Sequence, residues 1–165
     1  INKKNRIHPQ ITGGAQEREM RGGTENVIGI VGLVKALEIA YREMDAKKAH
    51  LENIKGLMIQ LLRESIPDIS FNGDAEGNSL YTVLSVSLPP NEAGSMILFN
   101  LDLAGISASG GSACSSGATG GSHVINCLYP GTNRTTVRFS FGKQNTEDDI
   151  RFTVNQLANW YGQKS

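Results

Sequence analysis

The sequence predicts an α+β fold, in which helices cover a small and mostly antiparallel sheet. Two stretches in the first half of the chain and one at its end repeat apolar residues every three or four positions, the period of a helix with one buried face. Two shorter stretches alternate apolar and polar residues, the period of a half-buried strand. Helices flank the strands without regular strand–helix–strand alternation, which is the order typical of α+β domains.

The first helical pattern begins at Asn26, with Thr24 as a plausible N-cap, and it ends before Pro67. The charged residues 43–48 divide it, and they fit either a bend or a continuous exposed turn. Both halves are expected to bury one apolar face. The apolar positions are Ile30, Leu33, Val34, Leu37, Ala40, Tyr41 and Met44 in the first half, and Leu51, Ile54, Leu57, Met58, Leu61 and Leu62 in the second.

Strands are predicted at 69–72, 80–88 and 135–141, and a helix capped by Asn91 is predicted to reach residue 103. In the second strand, alternate positions from Leu80 to Leu88 share one face. In the third, Val137, Phe139 and Phe141 face one way and Thr136, Arg138 and Ser140 the other.

Two further helices are expected after residue 121. Residues 122–128 fit a short one. In the last helix, Thr146 and Asp149 resemble a capping box, and Ile150, Val154, Leu157 and Tyr161 form one apolar stripe.

Composition narrows the functional classes. The 16 basic and 16 acidic residues balance, which argues against a protein whose main task is to bind nucleic acid or an anionic membrane. No apolar run approaches the roughly 20 residues of a membrane span, and no secretory signal is visible. The two cysteines, Cys114 and Cys127, form neither a disulfide framework nor a zinc motif, so a reducing, cytoplasmic setting is expected.

Cys114 is the most informative residue, because residues 109–121 otherwise contain only Gly, Ala, Ser and Thr. Such a segment has no large apolar side chain to anchor it, so the thiol is expected to be exposed on a mobile loop. If a neighbouring group lowers its pKa, the thiolate becomes a nucleophile that carries a group between two places; the alternative is an inert surface thiol. Cys127 lies among apolar residues and is interpreted as a small core residue.

Three other places could take part in chemistry. Arg138 could clamp a carboxylate with its guanidinium, or be an ordinary surface arginine or a structural ion pair. Residues 21–26 form a glycine turn before a helix, which suits a phosphate or only capping by Thr24. His123 lies beside the cysteine loop and is a weak candidate for a proton carrier, whereas His50 is expected to be solvated.

Three segments together resemble cysteine desulfurases. Residues 13–24 read GGAQEREMRGGT and are similar to the Gly-Gly-x-x-Glu-Arg…Arg-x-Gly-Thr segment of that family. Residues 109–116 resemble its catalytic loop, Ser-x-Gly-Ser-Ala-Cys-x-Ser. Residues 137–142 resemble its Arg-Phe-Ser-x-Gly segment. The long Gly/Ser loop resembles the NifS/IscS-like branch of the family.

The resemblance implies a pyridoxal-phosphate enzyme of the class V aminotransferase fold that works as a homodimer. Such enzymes convert L-cysteine to alanine and an enzyme persulfide, whose sulfur passes to an acceptor or scaffold protein, as in iron–sulfur cluster assembly. Cys114 would be the nucleophile that carries the persulfide. Arg138 would bind the substrate carboxylate, and Thr24 would contact the cofactor phosphate in the partner subunit.

One family feature has no match. The Schiff-base lysine of the family lies in a Ser-x-His-Lys type segment, which this sequence lacks. The chain is therefore expected to be the C-terminal portion of a desulfurase, inactive alone, with residues 1–25 as the tail of the large domain and 26–165 as the small domain with its linking helix. The alternatives are a sulfur-accepting or docking module without pyridoxal phosphate, and a related selenocysteine lyase or class V aminotransferase.

Overall fold

The computed structural model describes residues 8–110 and 122–162 of the chain. Four α-helices and three β-strands lie within these ranges. Short 3₁₀ turns at Gln16–Glu19 and Glu92–Met96 accompany them. The helices are α1 (Val27–Ser65), α2 (Ile97–Leu103), α3 (His123–Leu128) and α4 (Glu147–Tyr161), and the strands are β1 (Ser70–Phe71), β2 (Val83–Leu88) and β3 (Thr135–Ser140).

The strands form one antiparallel sheet in the order β1-β2-β3. Ser70 of β1 lies opposite Ser87, and Ser85 of β2 lies opposite Arg138 of β3. This arrangement confirms the predicted α+β class. The first strand is shorter than predicted at both ends, the second begins three residues later, and the third ends one residue earlier. Leu80, which was expected on the buried face of β2, is 63% exposed before the strand begins.

One apolar core holds the sheet to the second half of α1, to α2 and to α4. The periodic positions predicted for these elements supply most of it, because each element turns its apolar face toward the sheet. Its largest fully buried side chains are Leu51, Ile54, Met58, Leu62, Ile66, Leu84, Leu88, Ile97, Leu101 and Leu157, with Val86 and Val137.

Hydrogen bonds at the helix starts test the predicted caps. The Thr146 hydroxyl accepts from the Asp149 amide at 3.2 Å and the Asp149 carboxylate accepts from the Thr146 amide at 2.9 Å, which completes the capping box of α4. Asn91 Oδ1 accepts from the Ala93 amide at 2.9 Å, but it caps the 3₁₀ turn Glu92–Met96, and α2 itself begins only at Ile97. The prediction of Thr24 as the cap of α1 was wrong: α1 begins at Val27, and Asn26 Oδ1 accepts the Gly29 amide at 3.0 Å.

Helix α1 is continuous through its charged middle, and the described residues divide within it into one unit that ends at Met44 and another that begins at Asp45. The boundary predicted at residues 25 and 26 stays a prediction. The expectation that the first half of α1 buries an apolar face is wrong within the described residues, since no other described element of its unit covers it. Its exposed apolar residues are Val27, Ile28, Ile30, Val31, Leu33, Val34, Leu37, Tyr41 and Met44.

Candidate functional site

Arg138 occupies the polar face of the sheet. The alternation of β3 buries Val137 and Phe139, at 0% and 5% exposure, and thereby turns the side chain of Arg138 outward. Ser85 lies directly opposite Arg138 on β2. The residues two positions away on β3, Thr136 and Ser140, are also small and hydroxylated. A guanidinium among short side chains has room for a ligand beside it.

The guanidinium of Arg138 has no carboxylate of the described residues within ion-pair distance. Arg134, which directly precedes β3, does have a carboxylate partner. It pairs with Asp68 Oδ2 at 2.8 Å and also donates to the Ser87 hydroxyl at 2.9 Å. Arg134 is therefore a structural brace, and the structural ion pair considered for Arg138 is not found among the described residues. Arg138 keeps the positive charge that an anionic ligand needs.

Ser109 joins the strand of Arg138 to the segment that leads to Cys114. The two residues form an antiparallel β-bridge, in which the Ser109 amide donates to the Arg138 carbonyl at 3.0 Å and the Arg138 amide donates to the Ser109 carbonyl at 2.6 Å. Arg138 Nη2 also donates to the Ser109 hydroxyl at 3.4 Å. Sequence reasoning missed this role, because Ser109 belongs to no periodic strand.

The residues around Ser109 hold it in place. Ile106 and Ala108 pack against the core, and a Cβ on Gly110 would lie 2.7 Å from Leu98 Cδ1. Cys114 itself lies outside the described residues. It follows Ser109 by five positions, and five residues span at most about 18 Å, so the chain keeps the Cα atom of Cys114 within that range of the Cα atom of Ser109.

Two sequence interpretations near this site were wrong. Cys127 is exposed, not a core residue, because α3 is a short surface helix whose apolar residues Val124 and Leu128 are themselves 51% and 59% exposed. His50 is partly buried rather than solvated, since its Nε2 lies 2.9 Å from the Asn145 carbonyl oxygen. His123 is the exposed first residue of α3, which leaves its predicted role open.

Thr24 lies in a glycine turn that belongs to the first unit. Gly23 has φ +99°, a conformation that favours glycine. Arg21 donates to the Gly23 carbonyl at 2.7 Å and pairs with Glu25, so its charge is neutralised within the turn. The Thr24 hydroxyl is exposed and has no hydrogen-bond partner among the described residues.

Lys55 is a buried charge that sequence reasoning did not single out. Its Nζ donates to the Ser79 hydroxyl at 2.8 Å and to the Leu80 carbonyl at 3.2 Å, beside a groove of about 600 Å³ between α1 and the loop of residues 75–81. Desolvation lowers the pKa of Lys55, and the nearby carboxylate of Asp74 acts in the opposite direction. These contacts make Lys55 a tether for that loop.

Comparison with known proteins places the chain in a family. The model of the aminotransferase class-V family matches residues 4–152. The chain belongs to this family. It is 38% identical to a cysteine desulfurase IscS of Dictyoglomus turgidum, over 95% of this chain and 40% of that protein. It is 36% identical to a putative cysteine desulfurase IscS 1 of Bacillus subtilis, over 93% of this chain and 41% of that protein.

Solved structures agree on the fold. A NifS-like protein superposes with a TM-score of 0.73 at 31% identity, over 96% of this class-V chain and 40% of its own. A NifS-like protein from Rickettsia africae superposes with a TM-score of 0.71 at 24% identity, over 95% of this chain and 41% of its own. The resemblance to the NifS/IscS-like proteins is thus confirmed. The chain spans about 40% of the length of the relatives it matches.

Two searches of the described residues complete the picture of possible sites. None of the helices in residues 8–110 and 122–162 is both long and apolar enough to cross a membrane. Within the same ranges, no group of three or more His, Cys, Asp or Glu side chains is placed to hold a metal ion.

Proposed function

We propose that this chain supplies the carboxylate-binding arginine and the sulfur-carrying thiol of a pyridoxal-phosphate-dependent cysteine desulfurase. The observation that carries the proposal is the guanidinium of Arg138, which has no carboxylate partner among the described residues and is bridged to Ser109 at the start of the Cys114 segment. The names of the relatives support the same activity, since those compared above are called cysteine desulfurases.

Arg138 binds the α-carboxylate of L-cysteine in this proposal. A guanidinium has five N–H donors in a planar fork, and the bond to the Ser109 hydroxyl uses only one of them. Enough donors remain for a bidentate contact with a carboxylate, which a lysine at the same place cannot make. The small side chains of Thr136 and Ser140 leave the approach to the fork open.

Cys114 takes the sulfur. Its thiolate forms a bond to the sulfur of L-cysteine while the bond between that sulfur and Cβ of the substrate breaks. The electron pair of the broken bond stays with the carbon, which takes up a proton and leaves as alanine. Cys114 then carries a persulfide. The five positions from Ser109 to Cys114 are short enough for the chain to bring the thiol to a substrate bound at Arg138. A sulfur-acceptor or scaffold protein, such as one that assembles iron–sulfur clusters, would receive the sulfur.

Thr24 fits one part of a cofactor site. Its free hydroxyl, next to the start of α1, is suited to donate to a phosphate, in the partner subunit of a homodimer as the family resemblance implies. Arg21 does not fit that role, because its charge is paired with Glu25. When bound, pyridoxal phosphate supplies the electron sink for the chemistry at the substrate carbon. The family's Ser-x-His-Lys segment, whose lysine would hold the cofactor, has no match in this sequence.

The test is the release of alanine and sulfide from L-cysteine by the natural gene product that contains this chain, supplied with pyridoxal phosphate. We expect Cys114→Ser to abolish persulfide formation, and Arg138→Lys to raise the KM for L-cysteine at least tenfold, which corresponds to about 1.4 kcal/mol of binding. Arg151→Lys, an exposed arginine on α4, is the matched control.

The outcomes separate the candidate functions. Wild-type release of alanine by Cys114→Ser would refute the role given to the thiol. A protein that forms no alanine but accepts sulfur at Cys114 from a persulfide donor would be the sulfur-accepting module. Faster turnover of L-selenocysteine than of L-cysteine would indicate a selenocysteine lyase.

A further inference from the structure

We propose that Ser109 is a positioning residue for Arg138: its hydroxyl fixes the guanidinium in the orientation that receives a substrate carboxylate. The proposal rests on the proposed function for the identity of the ligand. Its geometric part stands on the backbone bridge between the two residues and on the hydrogen bond between their side chains.

The backbone brings the two side chains to the same face. In an antiparallel bridge, residues directly opposite each other have Cβ atoms within about 4.5–5.5 Å on one side of the sheet. The pair of amide–carbonyl bonds, at 3.0 and 2.6 Å, identifies Ser109 and Arg138 as such a pair. The side chain of Ser109 therefore lies beside the stem of Arg138.

The hydroxyl gives the guanidinium its only side-chain hydrogen bond among the described residues. Arg138 Nη2 donates to Ser109 Oγ at 3.4 Å. An arginine side chain loses up to about 2 kcal/mol of rotamer entropy when it is held in one geometry, so an exposed guanidinium without a partner samples many orientations. A neutral acceptor at the terminal Nη2 restricts this freedom, and it does not cancel the positive charge as a carboxylate would.

The placement of Ser109 is itself secure. Ile106 and Ala108 anchor the preceding chain in the core, and the two backbone hydrogen bonds of the bridge hold Ser109 itself. Ser107 lies in the same segment but is exposed and makes no hydrogen bond to Arg138. Ser107 is therefore a matched control for any effect of removing a hydroxyl from this segment.

The first experiment needs no ligand. In the chain labelled with ¹⁵N-arginine, NMR measures the rate of rotation about the Nε–Cζ bond of Arg138, whose signal is assigned by its loss in Arg138→Lys. We expect Ser109→Ala to raise that rate about two- to fivefold, the effect of losing one net hydrogen bond. Ser109→Thr should restore the rate, and Ser107→Ala should leave it unchanged. An unchanged rate in Ser109→Ala would overturn the proposal.

The second experiment compares L-cysteine with L-cysteinamide, which lacks the carboxylate. We expect Ser109→Ala to weaken binding of L-cysteine about two- to fivefold, with Ser109→Thr close to wild type and little change for the amide. The thermal unfolding midpoint of each variant excludes a general loss of structure. Equal weakening for both ligands would show a merely structural role and would refute the positioning role. If the wild-type chain does not prefer L-cysteine to the amide, the carboxylate clamp of the proposed function fails, while the rotation rate still decides the role of Ser109.

Discussion

Replacing Lys55 with methionine tests whether a buried ammonium tethers the loop of residues 75–81 to α1. Lys55 is 6% exposed, and its Nζ donates to Ser79 Oγ and the Leu80 carbonyl. Methionine keeps most of the aliphatic stem and loses both bonds. Both acceptors belong to exposed residues that water reaches when the bonds are lost, so we expect each bond to contribute near the lower end of its range. The free energy of unfolding at pH 7 should then fall by about 1–2 kcal/mol.

The pH dependence gives the sharper result. Burial lowers the pKa of Lys55 in the folded chain below the ordinary value of 10.5, which the unfolded chain keeps. Between the folded and unfolded pKa values the unfolded state binds more protons, so the free energy of unfolding of the wild type rises with pH in that window, relative to Lys55→Met. Asp74 opposes the shift, so Asp74→Asn should lower the pKa of Lys55 further and move the rise to lower pH.

Urea unfolding followed by the fluorescence of Trp160, which packs against the core, measures these differences at a series of pH values up to 10.5. The difference between wild type and Lys55→Met is the relevant quantity, because the raised pKa of the buried Tyr161 contributes equally to both curves. Parallel curves for the two proteins, or a wild type that loses stability relative to the variant as the pH rises, would refute the desolvation argument.

Three further predictions test the exposure of Cys127, the burial of Leu101 in the core and the capping of α4 by Thr146. Cys127 should react with a thiol reagent in folded Cys114→Ser at the rate of an exposed thiol, measured by absorbance; strong protection would contradict its exposure. Leu101→Ala, at a fully buried site, should lower the free energy of unfolding by about 2–5 kcal/mol, whereas Ile28→Ala, at 88% exposure, should change it by less than about 0.5 kcal/mol in the same urea titration. Thr146→Ala should cost about 1 kcal/mol by removing the cap of α4, and Thr146→Ser should recover most of it.

Local sequence patterns were sufficient to predict elements whose structure depends on residues close together in the sequence. The alternation of β3 placed Val137 in the core and Arg138 on the polar face, because a strand in a one-sided sheet has no other way to bury its apolar residues. The capping box of α4 was predictable because Thr146 and Asp149 satisfy each other within one turn.

Local sequence patterns failed where burial, capping or hydrogen bonding depends on the backbone conformation or on residues far away along the chain. The apolar spacing of the first half of α1 predicted a helix correctly but not what covers it, since periodicity carries no information about the opposing surface. Thr24 and Asn26 are both good capping residues, and only the backbone decides which oxygen meets an orphan amide. Lys55 escaped notice because its acceptors, Ser79 and Leu80, lie more than twenty residues away along the chain.

The candidate site joins both kinds of information. The alternation of β3 is enough to place Arg138 outward, but it does not fix the direction of a long flexible side chain. That direction depends on Ser109, a residue of a segment with no strand pattern, which two backbone bonds bring to the edge of the sheet. The bridge also ties the start of the Cys114 segment to a strand packed on the core. A substrate carboxylate held by Arg138 and the chain that leads to the thiol would thus both be attached to β3 at this bridge. Because the backbone bonds of the bridge do not depend on the Ser109 hydroxyl, its loss should weaken binding of the carboxylate more than it weakens the fold.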